Sequence, residues 1–384
     1  MMATEDTPQI IDQNSVLAEH CRNWLQLSFV AIDTEFVRTE TYFPIAGLIQ
    51  VGDGERAYLI DPLEITDWSP LVALLECPAV VKVLHACSED LEVFQHLCGA
   101  LPTPVFDTQI AAAYLGMGFS MSYSRLVNAL LGIELDKEET RSDWLQRPLS
   151  AKQLQYAVDD TLHLARIYTL MAPRLQAANL IDWLLEDTAE LVASAAETPE
   201  PTQAYCRIKQ AWRLKPAELA VLQVLCDWRE RSARQRDVAR NRLLREAVLC
   251  PLAQRQPDTL AQLSRMEDIH PRTVRQDGET VLELIKQGRS VPEADWPQKL
   301  PEPLPADANR LLKSLRKVGQ QHAERLGMAG ELMLRKKVLE ALVRTGYPSG
   351  PYSLPDELSG WRRELMGEEL LALANQFSSK GVSA

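Results

Sequence analysis

Two acids spaced by one residue mark where this chain can do chemistry. Asp33 and Glu35 lie in Phe29-Val-Ala-Ile-Asp-Thr-Glu-Phe36, where an apolar run reads as a buried strand. Side chains at i and i+2 of a strand share one side of the pleat, so both carboxylates crowd one spot. Like charges in a dry place are unfavourable unless a cation neutralises them, and hard oxygen ligands select Mg²⁺ or Mn²⁺ over zinc. Two later segments carry chemistry of the same kind. Asp90 lies in Val83-Leu-His-Ala-Cys-Ser-Glu-Asp-Leu91, and Tyr156 and Asp160 lie in Tyr156-Ala-Val-Asp-Asp160.

The elements that must position these residues are readable locally. Val80–Leu84 is a short β-rich run, His85–Ser88 turn the chain, and Asp90 falls in the first turn of a helix, where the dipole favours an acid. Ser150 and Gln153 have the spacing of a capping box, which predicts a long amphipathic helix through Met171. Tyr156 and Asp160, at i and i+4, then share one face of it. Strands are expected at about 29–33, 47–52 and 57–60, followed by strands alternating with helices. That pattern is α/β.

Asp-x-Glu, an Asp after His-Ala-x-x-x, and Tyr-x-x-x-Asp, in this order, resemble the three exonuclease motifs of the DEDD superfamily. The branch indicated is the tyrosine one, because Gln155 stands where the histidine branch places its histidine. Further phrases are similar to the bacterial ribonuclease D family: Asp33-Thr-Glu-Phe-Val-Arg38, Gly47-Leu-Ile-Gln50, Leu59-Ile-Asp-Pro-Leu63, His85 through Phe94, Asp107-Thr-Gln-Ile110 and Arg141-Ser-Asp-Trp-Leu-Gln-Arg-Pro-Leu149. Asp159 is out of register by one position and reads as a helix-surface acid.

The resemblance implies a ribonuclease H-like mixed-sheet exonuclease domain and stepwise 3′ to 5′ hydrolysis of RNA with release of nucleoside 5′-monophosphates. It implies two divalent ions, Mg²⁺ or Mn²⁺, at about 3.5–4 Å, one activating water and the other stabilising the leaving 3′ oxygen. In that scheme Asp33 bridges both ions, Glu35 and Asp160 complete the first site, and Asp90 holds the second through water. Tyr156 orients the attacking water, since a phenol with a reference pKa of about 10 is a poor base at neutral pH. The substrates it points to are tRNA precursors with 3′ trailers and other structured RNAs with single-stranded 3′ ends.

Charge divides the chain. The 384 residues carry a formal net charge of −12, but residues 1–200 hold 11 Lys and Arg against 30 Asp and Glu, a balance of −19, and residues 201–384 balance at +7. The acidic half is the metal half, and phosphate contacts are expected in the basic half. Seven cysteines without a Cys-x-x-Cys pair fit reduced thiols in the cytoplasm, and the spacing of Cys87, His96 and Cys98 matches no usual zinc pattern. Met1–Asp6 has neither a basic region nor an apolar core, and no apolar stretch approaches about 20 residues, so a soluble, cytoplasmic protein is expected. A monomer is the expected state, since three domains can arrange themselves around one substrate cleft.

Proline-rich segments at 197–202 and 291–305 suggest three domains: 1–200, 207–290 and 301–384. After Pro216 the chain reads as helices. Leu219, Leu222, Leu225 and Trp228 form a stripe that resembles the opening of an HRDC domain over about 207–290. The last segment, with Arg310, Lys313, Arg316, Lys317, Arg335-Lys-Lys337 and Leu358-Ser-Gly-Trp-Arg362, resembles a second, diverged HRDC-like bundle. In the arginine-rich stretch, Arg234, Arg236, Arg240 and Arg242 are expected to contact RNA phosphates. A helicase is excluded by the lack of a Gly-x-x-x-x-Gly-Lys-Ser/Thr loop. A DNA-directed exonuclease would use the same carboxylates, and a non-catalytic RNA-binding protein would lack one of them.

Overall fold

The computed structural model describes residues 9–135 and 142–381; Arg141, which opens one of the family-like phrases, lies outside them. The first elements are β1 (Gln9–Ile11), α1 (Asn14–Trp24), β2 (Phe29–Val37), β3 (Ile45–Gly52), β4 (Ala57–Ile60) and α2 (Ser69–Glu76). They are followed by β5 (Val81–Leu84), α3 (Ser88–Cys98), β6 (Val105–Asp107), α4 (Thr108–Tyr114), α5 (Tyr123–Leu131), α6 (Ala151–Ala177) and α7 (Ile181–Ala196). The remainder is helical: α8 (Pro216–Arg236), α9 (Arg240–Leu243), α10 (Glu246–Arg255), α11 (Leu260–Ser264), α12 (Pro271–Arg289), α13 (Asn309–Leu326), α14 (Gly330–Met333), α15 (Lys336–Arg344) and α16 (Gly360–Gly381).

Packing groups the chain into two compact units. The first takes residues up to 37, 46–196 and everything from 304 onward; the second takes 38–45 and 197–303. In the first unit a six-stranded sheet runs β1-β4-β3-β2-β5-β6, with β3 antiparallel to β4 and with β1–β4, β2–β5 and β5–β6 parallel, which makes it a mixed sheet. Strand alternation sorts β2 between two cores. Val30 and Ile32 pack with α1, α2 and α3, whereas Ala31 faces the side covered by α4, α5 and α6. The expected strands at 29–33, 47–52 and 57–60 are present, and β2 continues to Val37. Strand β1 was not foreseen: three residues paired to β4, with Ile11 fully buried and Ile10 exposed, carry too short a pattern to read.

The long helix α6 starts as its sequence predicts. The Ser150 side chain accepts from the Gln153 backbone N–H, and Gln153 reaches back to the Ser150 N–H. The helix sits tightly on β3, because a Cβ at Gly52 would lie 3.0 Å from the Thr161 carbonyl oxygen. On the other side of Thr161 in sequence, Asp160 is thereby brought onto the sheet.

The 304–384 segment is fastened to the first unit through one buried carboxylate. Asp187 on α7 receives Arg362 of α16, the Tyr114 hydroxyl at 2.8 Å and the Trp361 indole N–H at 3.1 Å, and Trp361 stacks on Trp183 with ring centres 4.4 Å apart. Removing one partner of such a pair leaves the other charge buried and unmatched. Asp187→Ala is therefore expected to destabilise the protein by about 3–5 kcal/mol. Equal urea midpoints for wild type and variant would show that this network does not hold the C-terminal helices in place.

In the second unit the stripe on α8 forms the core: Leu219, Leu222 and Leu225 are fully buried against Val248, Leu249, Leu252, Val281 and Ile285, and Trp228 packs half-buried beside them. No helix among the described residues is long and apolar enough to cross a membrane.

Candidate active site

Asp33 and Glu35 stand on the side of β2 that faces α6, as their two-residue spacing requires. Asp160 comes up from α6, and one carboxylate oxygen from each of the three lies within 4.8 Å of the others. Asp160 is 6% exposed, while Asp33 and Glu35 are half-buried. Three acids cannot all ionise comfortably here. Burial pushes the Glu35 carboxyl up to about 10, with Asp33, Asp160 and Asp90 adding to the rise. Burial likewise lifts Asp160 to about 8, Asp33 adding to the shift and a hydrogen bond from Tyr156 opposing it. Asp33 is raised to about 6, again by burial, against a backbone hydrogen bond from Thr34. The donor set is all carboxylate oxygen, without sulfur or imidazole, so it fits a hard divalent cation.

Asp90 reaches the same region from a different element. It lies in the first turn of α3, and the Thr34 hydroxyl donates to its carboxylate. Thr34 alternates to the opposite side of β2 from Asp33 and Glu35, the side on which α3 packs. Asp90 is therefore not within the close cluster of three; burial first, and then the charge of Asp33, hold its carboxyl well above the usual range. Tyr156 hydrogen-bonds Asp160 across one turn of α6. Burial and the Asp160 charge push its phenol further up, so it remains protonated and can donate. Asp159 points elsewhere and accepts from the side chain of exposed Gln155 at 2.9 Å.

Three neighbours complete the wall. The Tyr123 hydroxyl, on α5, donates to the Asp160 carbonyl, and its ring packs against His85 with centres 5.2 Å apart. His85 bonds Thr108 through Nδ1 at 2.9 Å, and its buried Nε2 has no partner among the described residues. Trp144, buried at 2% exposure, lies 6.0 Å from the Tyr156 ring. Arg147 clamps the 142–149 segment by pairing both Asp61 oxygens, at 2.6 and 2.7 Å, while also donating to the Gly47 carbonyl. His85, Asp61 and Arg147 stood in recognisable phrases without a partner. Thr34 stood in such a phrase too, its role set by a contact 56 residues away, while Tyr123 gave no signal, since it is defined by a contact 37 residues away.

Comparison with known proteins places this geometry. A family model described as 3′-5′ exonuclease matches residues 8–176, and an HRDC domain model matches residues 218–285. Ribonuclease D of Pseudomonas paraeruginosa (strain PA7) is 56% identical over 371 residues, covering 97% of this chain and 98% of the relative. This chain belongs to the ribonuclease D family. Ribonuclease D of Escherichia coli K12 is 38% identical over 371 residues, covering 96% of this chain and 99% of its own length. The crystal structure of Escherichia coli RNase D, described as an exoribonuclease involved in structured RNA processing, superposes with a TM-score of 0.89 at 37% identity, covering 96% of this chain and 99% of that one. The protein is accordingly a 3′-5′ exoribonuclease, with a mixed-sheet exonuclease domain of the divalent-metal-dependent DEDD fold and a helical HRDC region.

Within the second unit of this ribonuclease D-family chain, the four arginines read as phosphate contacts all have internal partners. Arg234 donates to the Tyr42 hydroxyl at 2.9 Å and to the Pro199 carbonyl at 2.9 Å. Arg240 pairs with Glu230 at 2.5 Å and lies 4.5 Å over the Tyr42 ring. Arg242 pairs with Glu40, and Arg236 with Asp277 at 2.8 Å. Asp237, at the left-handed end of α8, accepts from the backbone N–H groups of Tyr42 and Phe43, both at 3.0 Å. A sequence count of arginines cannot see that Tyr42 and Glu40, from a segment some 190 residues earlier, return to meet them.

Proposed function

We propose that this exoribonuclease trims the single-stranded 3′ ends of structured RNAs, tRNA precursors among them, with a pair of divalent ions, Mg²⁺ or Mn²⁺, held by Asp33, Glu35, Asp90 and Asp160. The observation that supports the reading most directly is the convergence of three carboxylates within 4.8 Å at the end of β2. Ions bound there would lower the pKa of a water and neutralise charge building on the phosphate. Asp33 sits centrally, its charge felt by Glu35, Asp90 and Asp160 alike, which suits a carboxylate shared between two ions. Thr34 positions Asp90, and Tyr123 fixes the backbone of α6 at Asp160. Tyr156 keeps its proton and acts by donating a hydrogen bond that orients water, with Asp160 setting the direction of its hydroxyl.

The modular division into 1–200, 207–290 and 301–384 belongs to the same proposal, as does a cytoplasmic monomer. The part-exposed guanidinium faces of Arg236, Arg240 and Arg242, with side-chain exposures of 44%, 39% and 41%, and the more enclosed Arg234 at 23%, are proposed to meet RNA phosphates on their outer edges. Hydrolysis of matched RNA and DNA strands with identical 3′ sequences, assayed together in Mg²⁺, tests the substrate class. RNA is expected to be degraded at least ~10-fold faster, the discrimination that contacts to a 2′-hydroxyl can supply. Equal rates would replace the RNA-specific reading by a general 3′-5′ exonuclease.

A further inference from the structure

The first unit carries a groove of about 620 Å³, lined by Phe119 from the loop between α4 and α5 and by residues of α13, α14 and α15. Its size is that of a site for one or two nucleotides. Phe119 is 49% exposed, the one aromatic ring among the large apolar side chains left open to solvent in the described residues. Its loop packs closely against the end of α13. Gly116, Gly118 and Ser120 all have positive φ, and a Cβ at Gly116 would lie 2.3 Å from the Gly327 carbonyl oxygen at the end of α13. The Ala329 N–H also donates to the Ala113 carbonyl at 2.8 Å. An apolar ring presented on such a loop, with no other ring stacked on it among the described residues, is a platform for another flat group.

The charges around it fit one kind of visitor. Arg316 and Arg335 line the groove, are exposed, and make no ion pair with any described residue; Lys336 reaches only Glu340, at 3.5 Å and 78% exposed. Glu324 and Glu331 also line it. Cations for phosphates, a ring for stacking and carboxylates that accept from base amino groups together match single-stranded RNA rather than a simple anion. Four residues beyond Phe119 comes Tyr123, whose hydroxyl touches Asp160, so the Cα atoms of Phe119 and Tyr123 lie within about 14 Å of each other. A few nucleotides of a single strand cover that distance.

We infer that this groove is the subsite for the RNA segment a few nucleotides upstream of the scissile bond, one base stacking on Phe119 with its flanking phosphates on Arg316 and Arg335. The inference rests on the RNA-trimming reading above and deepens it, naming a path that leads from the carboxylates toward the C-terminal helices within one compact unit. It also supplies cations beside an exonuclease segment in which acids outnumber bases 30 to 11.

The test compares wild type, Phe119→Leu, Phe119→Trp and Arg316→Gln/Arg335→Gln on unstructured RNA of two and of eight nucleotides. Phe119→Leu should raise KM for the octanucleotide on the order of ten-fold, with kcat unchanged and the dinucleotide unaffected; Phe119→Trp should restore it. The arginine pair should raise the same KM and flatten its salt dependence by about one to two log units per log unit of salt. In an Asp33→Asn background, 2-aminopurine placed at successive positions from the 3′ end should be quenched by stacking at one of them, and lose that quenching in Phe119→Leu. Identical KM values for wild type and Phe119→Leu at both lengths, a rise of the same size for both lengths, or no Phe119-dependent quenching at any position would overturn the inference while leaving the exonuclease reading intact. Failure of the wild type to degrade either RNA would instead sink that reading.

Discussion

Asp33→Asn is expected to lose RNA hydrolysis by on the order of 10³-fold or more, the scale on which one member of a cooperative catalytic set is felt. The amide keeps the shape of the side chain and removes the charge that Glu35, Asp90 and Asp160 all sense. RNA affinity should persist, because the cations proposed to bind phosphate lie on other segments. The same substitution has an opposite effect on the metal-free fold. Like charges crowded in a partly dry site destabilise it, so removing one should raise the melting temperature without metal and shrink the further rise that Mg²⁺ gives to wild type. Turnover near the wild-type level in Mg²⁺ would be incompatible with the proposed site. So would a variant that melts lower than wild type without metal yet gains equally from Mg²⁺. Asp159→Asn, at a carboxylate that accepts from Gln155 and stands outside the cluster of three, serves as the control and should remain active.

Tyr156→Phe is expected to lower kcat by about 10²-fold, the cost of misplacing a reacting group by about an ångström, with little change in the Mg²⁺ concentration needed for half-maximal activity. The ring stays against Trp144 and only the hydroxyl is lost. That hydroxyl is protonated because burial and the adjoining Asp160 raise its pKa, so it has a hydrogen bond to give and no base function to lose. Asp160 would lose the hydrogen bond that now offsets part of its burial, an effect on carboxylate affinity that should be small beside loss of the carboxylate itself. A weakening of Mg²⁺ dependence as large as that of Asp33→Asn would assign Tyr156 to holding metal and not to orienting water.

The two substitutions separate roles because the site is built from elements of different origin. Strand β2 contributes two acids at fixed spacing, α6 contributes an acid and a phenol one turn apart, and α3 delivers Asp90 from the far side of the sheet through Thr34. Loss of metal should therefore be felt by all four carboxylates together, whereas loss of the phenol should be felt by turnover alone.

What the sequence determined by itself is what short-range geometry encodes. The two-residue period of β2 put Asp33 and Glu35 on one side of the sheet, the Ser150–Gln153 box started α6, and the i, i+4 spacing let Tyr156 bond Asp160. Ordered motifs and flanking phrases sufficed for the family, because each phrase is a local constraint. Tertiary structure alone decided which distant groups meet. It set Thr34 against Asp90 and Tyr123 against Asp160, and it buried Asp187 under Arg362 across 175 residues. It returned Tyr42 and Glu40 to the arginines of α8 and α9, so that a run of positive charge is in good part matched by internal acids and an aromatic ring. It also joined 304–384 to the exonuclease unit and left Phe119 uncovered beside Arg316 and Arg335. A side chain's partner across such separations depends on how whole elements pack, and neither residue's immediate neighbours carry a trace of the other.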